Sequence, residues 1–203
     1  MKEIIIFLIF FLIIFSASIF IFNGRFIYAQ IKYSFLGAPL IATPNSNGLD
    51  STKQQKENFY PDKLIISSLN IEVPVVITES NNEVYLQKAL EKGVIYLPGS
   101  SALNEKGTAV IMGHSSAYPW YEGQYGSIFA LLNKLNINDE ITIFSKNKKF
   151  TYYVTDKQIK APKDLVFETQ KDAVVLYLVS CWPINTAWKR IVIKTIQALD
   201  NNY

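Results

Sequence analysis

The chain has 203 residues, enough for one domain with attachments. Its formal charge is +3, and from Tyr60 onward 15 Lys and Arg face 14 Asp and Glu, so no basic patch marks a nucleic-acid partner. A single cysteine excludes an intrachain disulfide, and an abundance of Ile, Val, Tyr and Phe favours β structure.

Residues Ile4 to Phe22 form an apolar run free of charge, relieved only by Ser16, Ala17 and Ser18. As a helix it would span about 28 Å, close to the ~30 Å hydrocarbon core of a bilayer. The run is longer than the apolar region of a signal peptide. The nearest small-x-small site, Ile27-Tyr28-Ala29, begins with a large residue. We therefore expect an uncleaved membrane anchor over residues 1–22, with the following domain outside the cytoplasm. Residues 23–60 then read as a stalk. From Thr43 to Asn58 they are mostly Pro, Asn, Ser, Gly, Lys and Gln, with almost nothing to bury against the entropy of ordering.

The folded domain is expected over residues 61–203. Leu64 to Ile66 and Val73 to Thr78 read as short strands, and Glu83 to Leu90 as a helix stopped near Gly93. Thr108 to Gly113 reads as a buried strand that delivers His114, the single histidine. A long loop with Tyr118, Trp120, Tyr121 and Tyr125 follows. The spacing of Ile128, Leu131, Leu132 and Leu135 predicts a helix over Ser127 to Leu135 with a Ser cap. Glu140 to Phe144 and Phe150 to Ile159 read as strands around a charged hairpin, and Ala161 to Asp172 as a loop with a turn of helix. The last two strands flank Cys181: an apolar run from Val174 leads in, and one through Ile193 leads away. Seven or eight short strands with two or three short helices predict a closed β-barrel, preceded by one transmembrane helix.

If the last two strands are antiparallel neighbours, Cys181 ends one and Arg190 begins the next, at one edge of the sheet. A thiol beside a guanidinium sits in an electropositive setting, which favours the thiolate. A lone free cysteine is commonly just a small buried hydrophobe, and a lone histidine a satisfied polar residue. Here Cys, His and Arg all stand at the ends of apolar strands, where loops present functional groups. One Cys with a His elsewhere is the minimum for a thiol nucleophile with an acid/base partner, and a guanidinium can stabilise an oxyanion. One Cys and one His without close ligand spacing do not make a zinc site, so no metal is expected.

The order His114, then Leu178-x-Ser180-Cys181, then Arg190 resembles the sortases, membrane-anchored cysteine transpeptidases of bacterial surfaces. The likeness covers Pro61 to Ile196. It includes Leu69-Asn-Ile71 with Pro74-Val75, Gly113-His114, Phe129-x-x-Leu132-x-x-Leu135 leading into Asn138-Asp139-x-Ile141, and Cys181-x-Pro183. There are departures. Ser180 stands where the family usually has Thr, and Asn138 where Gly is common. Only Glu105 lies in the loop that carries a calcium-binding acidic cluster in some members, so no cofactor is expected. The loop before the Cys strand is short, no C-terminal apolar span follows, and no lid motif is evident in the stalk.

The resemblance implies that Cys181 attacks a carbonyl in a C-terminal sorting motif, similar to Leu-Pro-x-Thr-Gly, of a secreted protein. His114 would protonate the leaving amine, and Arg190 would hold the substrate carbonyl or oxyanion. An amine of a cell-wall precursor, or of another surface subunit, would resolve the thioester. Ser180, Trp182 and Trp188 are candidate substrate contacts, although the tryptophans serve equally as packing residues. Two other readings are a non-catalytic, membrane-anchored β-barrel binding module and an L,D-transpeptidase-like enzyme. The latter wants a His two residues before the Cys, where this chain has Val179.

Overall fold

The computed structural model describes residues 2–18 and 59–198, apart from residues 79, 119 and 169. Helix α1 covers residues 2–18, and the expected remainder of the apolar run, residues 19–22, lies outside the described residues. Large apolar side chains from Ile4 to Phe15 are exposed on every side of α1. Among the described residues no helix is long and apolar enough to cross a membrane. The expected stalk also falls outside them up to residue 58, as does the tail from residue 199.

The domain is a closed barrel of eight strands: β1 Lys63–Ile66, β2 Ile71–Ile77, β3 Val94–Tyr96, β4 Gly107–Met112, β5 Glu140–Ser145, β6 Lys148–Lys160, β7 Val174–Trp182 and β8 Lys189–Gln197. Around the barrel they run β1-β2-β3-β4-β7-β8-β6-β5, and β5 pairs back onto β1. Two pairings are parallel, β2 with β3 and β4 with β7. Closure leaves no exposed edge to manage. Helix α2, Glu83–Leu90, crosses between β2 and β3, and the Asn82 side chain caps it by accepting from Val84 N.

Period-two alternation explains the core. In β1 and β2 the inward set Leu64, Ile66, Ile71, Val73 and Val75 is buried, while Glu72 and Pro74 face out. Interior residues from every strand, including Ile111, Ile143, Tyr152, Leu176 and Ile193, form one cluster with Leu103, Phe129, Leu132 and Leu135 from the connections. Burying one such Leu or Ile contributes about 1.5–3 kcal/mol. Strand β7 breaks the alternation, since Val175 through Ser180 are all buried. Its outward residues Val175, Tyr177 and Val179 join Val110 and Val192 in a second cluster, covered by Leu165 and Phe167 of the β6–β7 connection. That connection is held by Thr108, whose hydroxyl donates to Glu168 O at 2.6 Å and accepts from Gln170 N at 3.3 Å.

Three expectations change. Strand β3 is not separated out in the sequence reading. It is three residues long, buried throughout, and wedged between β2 and β4. Residues 127–135 do not form the expected α-helix or use the Ser127 side chain as a cap. They are successive tight turns with i→i+3 bonds, among them Ala130 N to Ser127 O and Lys134 N to Leu131 O, ending in a 3-10 turn at Leu132–Lys134. Phe129, Ala130, Leu131 and Leu132 are buried in succession, so the buried set does not follow the one-sided stripe of an amphipathic helix. The β5–β6 hairpin is tighter than expected. Lys146 and Asn147 alone make the turn, with φ of 47° and 66°. Asn138, in the position where the family favours Gly, has φ 72° and tolerates it as an Asn does.

Candidate active site

Three adjacent strands assemble the site. In the parallel pair β4–β7, Met112 lies beside Val179. The register continues past the strand end, since Gly113 N donates to Val179 O at 3.1 Å. His114 therefore comes level with Cys181. In the antiparallel pair β7–β8, Cys181 is the direct partner of Arg190. Partners in register share a face. Stepping by twos from the three residues into their strands gives Met112, Val179 and Val192: the two valines belong to the outward cluster and Met112 packs against it. His114, Cys181 and Arg190 thus stand in one row on the outer face, at the end of a strip of buried apolar side chains.

Each member is held differently. The Ser180 hydroxyl, on the opposite face, donates to Gly113 O at 2.7 Å and ties the Cys strand to the residue before His114. His114 O accepts from Phe129 N at 2.9 Å, so the turns after β4 hold its backbone. Its ring meets Tyr121 edge-on, with centroids 5.4 Å apart, and the Tyr121 hydroxyl donates to Leu90 O at the end of α2. Burial holds the imidazole below the ordinary histidine value, which favours the neutral ring. Its Nε2 is buried and has no hydrogen-bond partner among the described residues. Such an orphaned atom is expensive in a structural histidine and useful in one that awaits a proton. Arg190 turns Nη1 onto its own loop, donating to Ala187 O at 3.0 Å and Lys189 O at 2.9 Å. Cys181 is half-buried and unpaired by any disulfide.

The loops on either side are tied together, as Ser116 Oγ accepts from Asn185 N at 2.9 Å. This joins the loop after His114 to the loop between Cys181 and Arg190. The other candidate contacts are placed elsewhere. Ser180 is 2% exposed, with its hydroxyl on Gly113, which makes it a positioning residue in this arrangement. Trp182 packs against the barrel interior, one residue off the row. Trp188 is 78% exposed on the β7–β8 loop. Sequence reasoning gave no role to Tyr121, and named Phe129 only as part of the family-like motif before Asn138. Tyr121 was visible only as one of four aromatic residues in a loop, and nothing in its spacing singled it out.

Gly113 is needed for closeness, not for an unusual φ. A Cβ there would lie 2.6 Å from the Phe129 ring and 2.9 Å from Val94 Cγ1. Gly113→Ala must push Phe129 away and so shift the N–H that holds His114. Such overpacking costs about 1–3 kcal/mol, and a misplacement near 1 Å lowers turnover about a hundredfold. A thermal melt and an acylation assay on the same preparation check both effects.

The fold is similar to three solved structures. Sortase C-1 from Actinomyces oris matches with TM-score 0.57 and 18% identity, over 71% of this chain and 76% of that one. A lid mutant of sortase A from Corynebacterium diphtheriae matches with TM-score 0.58 and 20% identity, over 73% and 75%. A sortase D5 transpeptidase from Clostridium perfringens matches with TM-score 0.55 and 19% identity, over 67% and 77%. No curated protein matches the sequence. A sortase domain family matches residues 64–197, about two thirds of the chain, and with it all of the barrel but its first residue, Lys63, and the row across β4, β7 and β8: the chain belongs to the sortase family.

Proposed function

We propose that this chain is a cysteine transpeptidase that cleaves a sorting motif similar to Leu-Pro-x-Thr-Gly and passes the acyl group to an amine. The observation that carries this reading is the single row of His114, Cys181 and Arg190 on one face. Neutral His114 takes the thiol proton. The Cys181 sulfur bonds to the scissile carbonyl carbon, and Arg190 receives the oxyanion. The C–N bond breaks as His114 returns its proton to the leaving amine, which leaves a thioester on Cys181. An incoming amine, from a cell-wall precursor or another surface subunit, reverses these steps and releases the joined product. The partners are thus secreted proteins that carry the motif. The charge-free apolar run beginning in α1 supports membrane anchoring, with the barrel held outside the cytoplasm.

The test uses the full chain in detergent micelles. Peptides with varied sorting motifs are supplied with hydroxylamine as the amine, and the protein is examined by mass spectrometry. The expected result is a thioester mass on Cys181 and a hydroxamate product. Because His114 must be neutral to accept the thiol proton and burial lowers its pKa, the acid limb of kcat/KM is expected below the free-histidine value near 6.5. A folded protein that forms no adduct with any motif would end the proposal.

A further inference from the structure

We propose that Lys160 selects donor peptides that carry an anionic group three or four residues ahead of the scissile carbonyl. This inference rests on the transpeptidase reading and deepens it. The row of functional residues does not stop at Arg190. The next strand around the barrel is β6, and there Lys160 is the direct partner of Arg190. His114, just past the end of β4, and Cys181, Arg190 and Lys160 on the next three strands therefore stand level on one face. Lys160 lines a cleft with Val192, Tyr177, Leu165 and Phe167, the residues of the outward cluster and its cover.

The chemistry fixes which part of the donor lies there. His114 delivers a proton to the leaving amine, so the leaving side of the peptide lies over β4. The acyl side must then run from Cys181 across Arg190 towards β6. Two strand spacings separate Cys181 from Lys160, about 10 Å, and an extended peptide covers that distance in about three residues. On neighbouring strands, Arg190 and Lys160 are two cationic residues in direct register. Among the described residues Lys160 has no ion pair. The carboxylates of the cleft belong to its far end. Asp156 sits four residues back along β6, about 13 Å away by strand rise, and is the partner of Lys194. Its two oxygens accept from Lys157 N and the Gln158 side chain. Glu168 and Asp156 both act on Tyr177, which is likewise the partner of Lys194 on the β7 side. A half-buried lysine in register with an arginine, lining a cleft with apolar side chains, suits a peptide carboxylate.

The test uses the full chain in detergent micelles and peptides built on Leu-Pro-x-Thr-Gly. The Leu position and the residue before it are each made Glu, Ala, Leu or Lys in turn. Acylation is followed with hydroxylamine. The expected result is a kcat/KM about five- to tenfold higher for Glu than for Lys at one of the two positions, shrinking as salt is raised to about 0.5 M. Lys160→Arg should keep this order, and Lys160→Glu should reverse it, so that the Lys peptide becomes the better donor. Equal rates for Glu, Ala and Lys at both positions, with the thioester still forming on Cys181, would overturn the role of Lys160 and leave the transpeptidase reading standing. A preference for Leu that no charge at Lys160 alters would overturn it as well. No thioester with any peptide would remove both. Should Lys160→Glu fail to fold by circular dichroism, the charge order and salt dependence of the unaltered protein still decide.

Discussion

Cys181→Ala is expected to abolish peptide cleavage while the barrel stays folded. Without the sulfur no acyl-enzyme forms, and the remaining groups can only polarise a carbonyl for attack by water. In a hydroxyl enzyme the loss of the nucleophile costs about 10⁶-fold in kcat, because the groups act as a unit. Stability should barely change. Cys181 sits at the end of β7, half-buried, on the outer face, and takes no part in the interior cluster. Its strand is held instead by the β4 and β8 ladders and by the Ser180 hydroxyl on Gly113. The melting temperature should therefore stay within a few degrees of the unaltered protein, since substitutions away from core features usually shift stability by less than about 0.5 kcal/mol. Steady-state cleavage, a mass spectrum without the thioester and a thermal melt check the three parts. A Cys181→Ala protein that still cleaves at a near-normal rate would overturn the mechanism, and with it the assignment of His114 as proton carrier.

The parts of this site written in local sequence were legible, and the parts made by long-range contact were not. Val174 to Trp182 and Lys189 to Gln197 are dense in β-branched and apolar residues, so the two strands and the Cys181–Arg190 edge could be read from composition and spacing. The parallel pairing of β4 with β7 could not, because 66 residues separate the two strand starts and no turn chemistry joins them. That pairing is what brings His114 beside Cys181. Strand β3 was hidden by its length, since three residues give too little periodicity for a strand to stand out. Residues 127–135 misled for the opposite reason. Their apolar spacing fits a helix, yet Phe129 through Leu132 are buried together beneath the barrel end, and tight turns meet that demand. Tyr121 and Lys160 gain their places only from tertiary neighbours, one from the His114 ring and one from the Arg190 register.

Arg190→Lys is expected to lower kcat by about 10²–10³-fold with little change in KM, despite keeping the charge. The proposed mechanism gives the guanidinium two tasks that one ammonium cannot share. Its Nη1 holds Ala187 O and Lys189 O, which fixes the turn of the β7–β8 loop beside Cys181. In the proposed mechanism the rest of the planar fork would receive the carbonyl oxygen of the donor. A lysine at this position can satisfy the loop carbonyls or reach the oxyanion, but its donors radiate from one atom and cannot do both. The contact strengthens as negative charge develops on the carbonyl oxygen, so its loss falls on the transition state and on kcat. Arg190→Ala should be at least as slow and should also loosen the β7–β8 loop, visible as faster proteolysis within residues 183–188. Single-turnover acylation separates the steps, because Arg190→Lys should slow thioester formation itself. If the variant instead acylates at the normal rate once saturated and only KM rises, Arg190 binds the resting substrate, and the oxyanion must find its donor elsewhere at the β4, β7 and β8 edge.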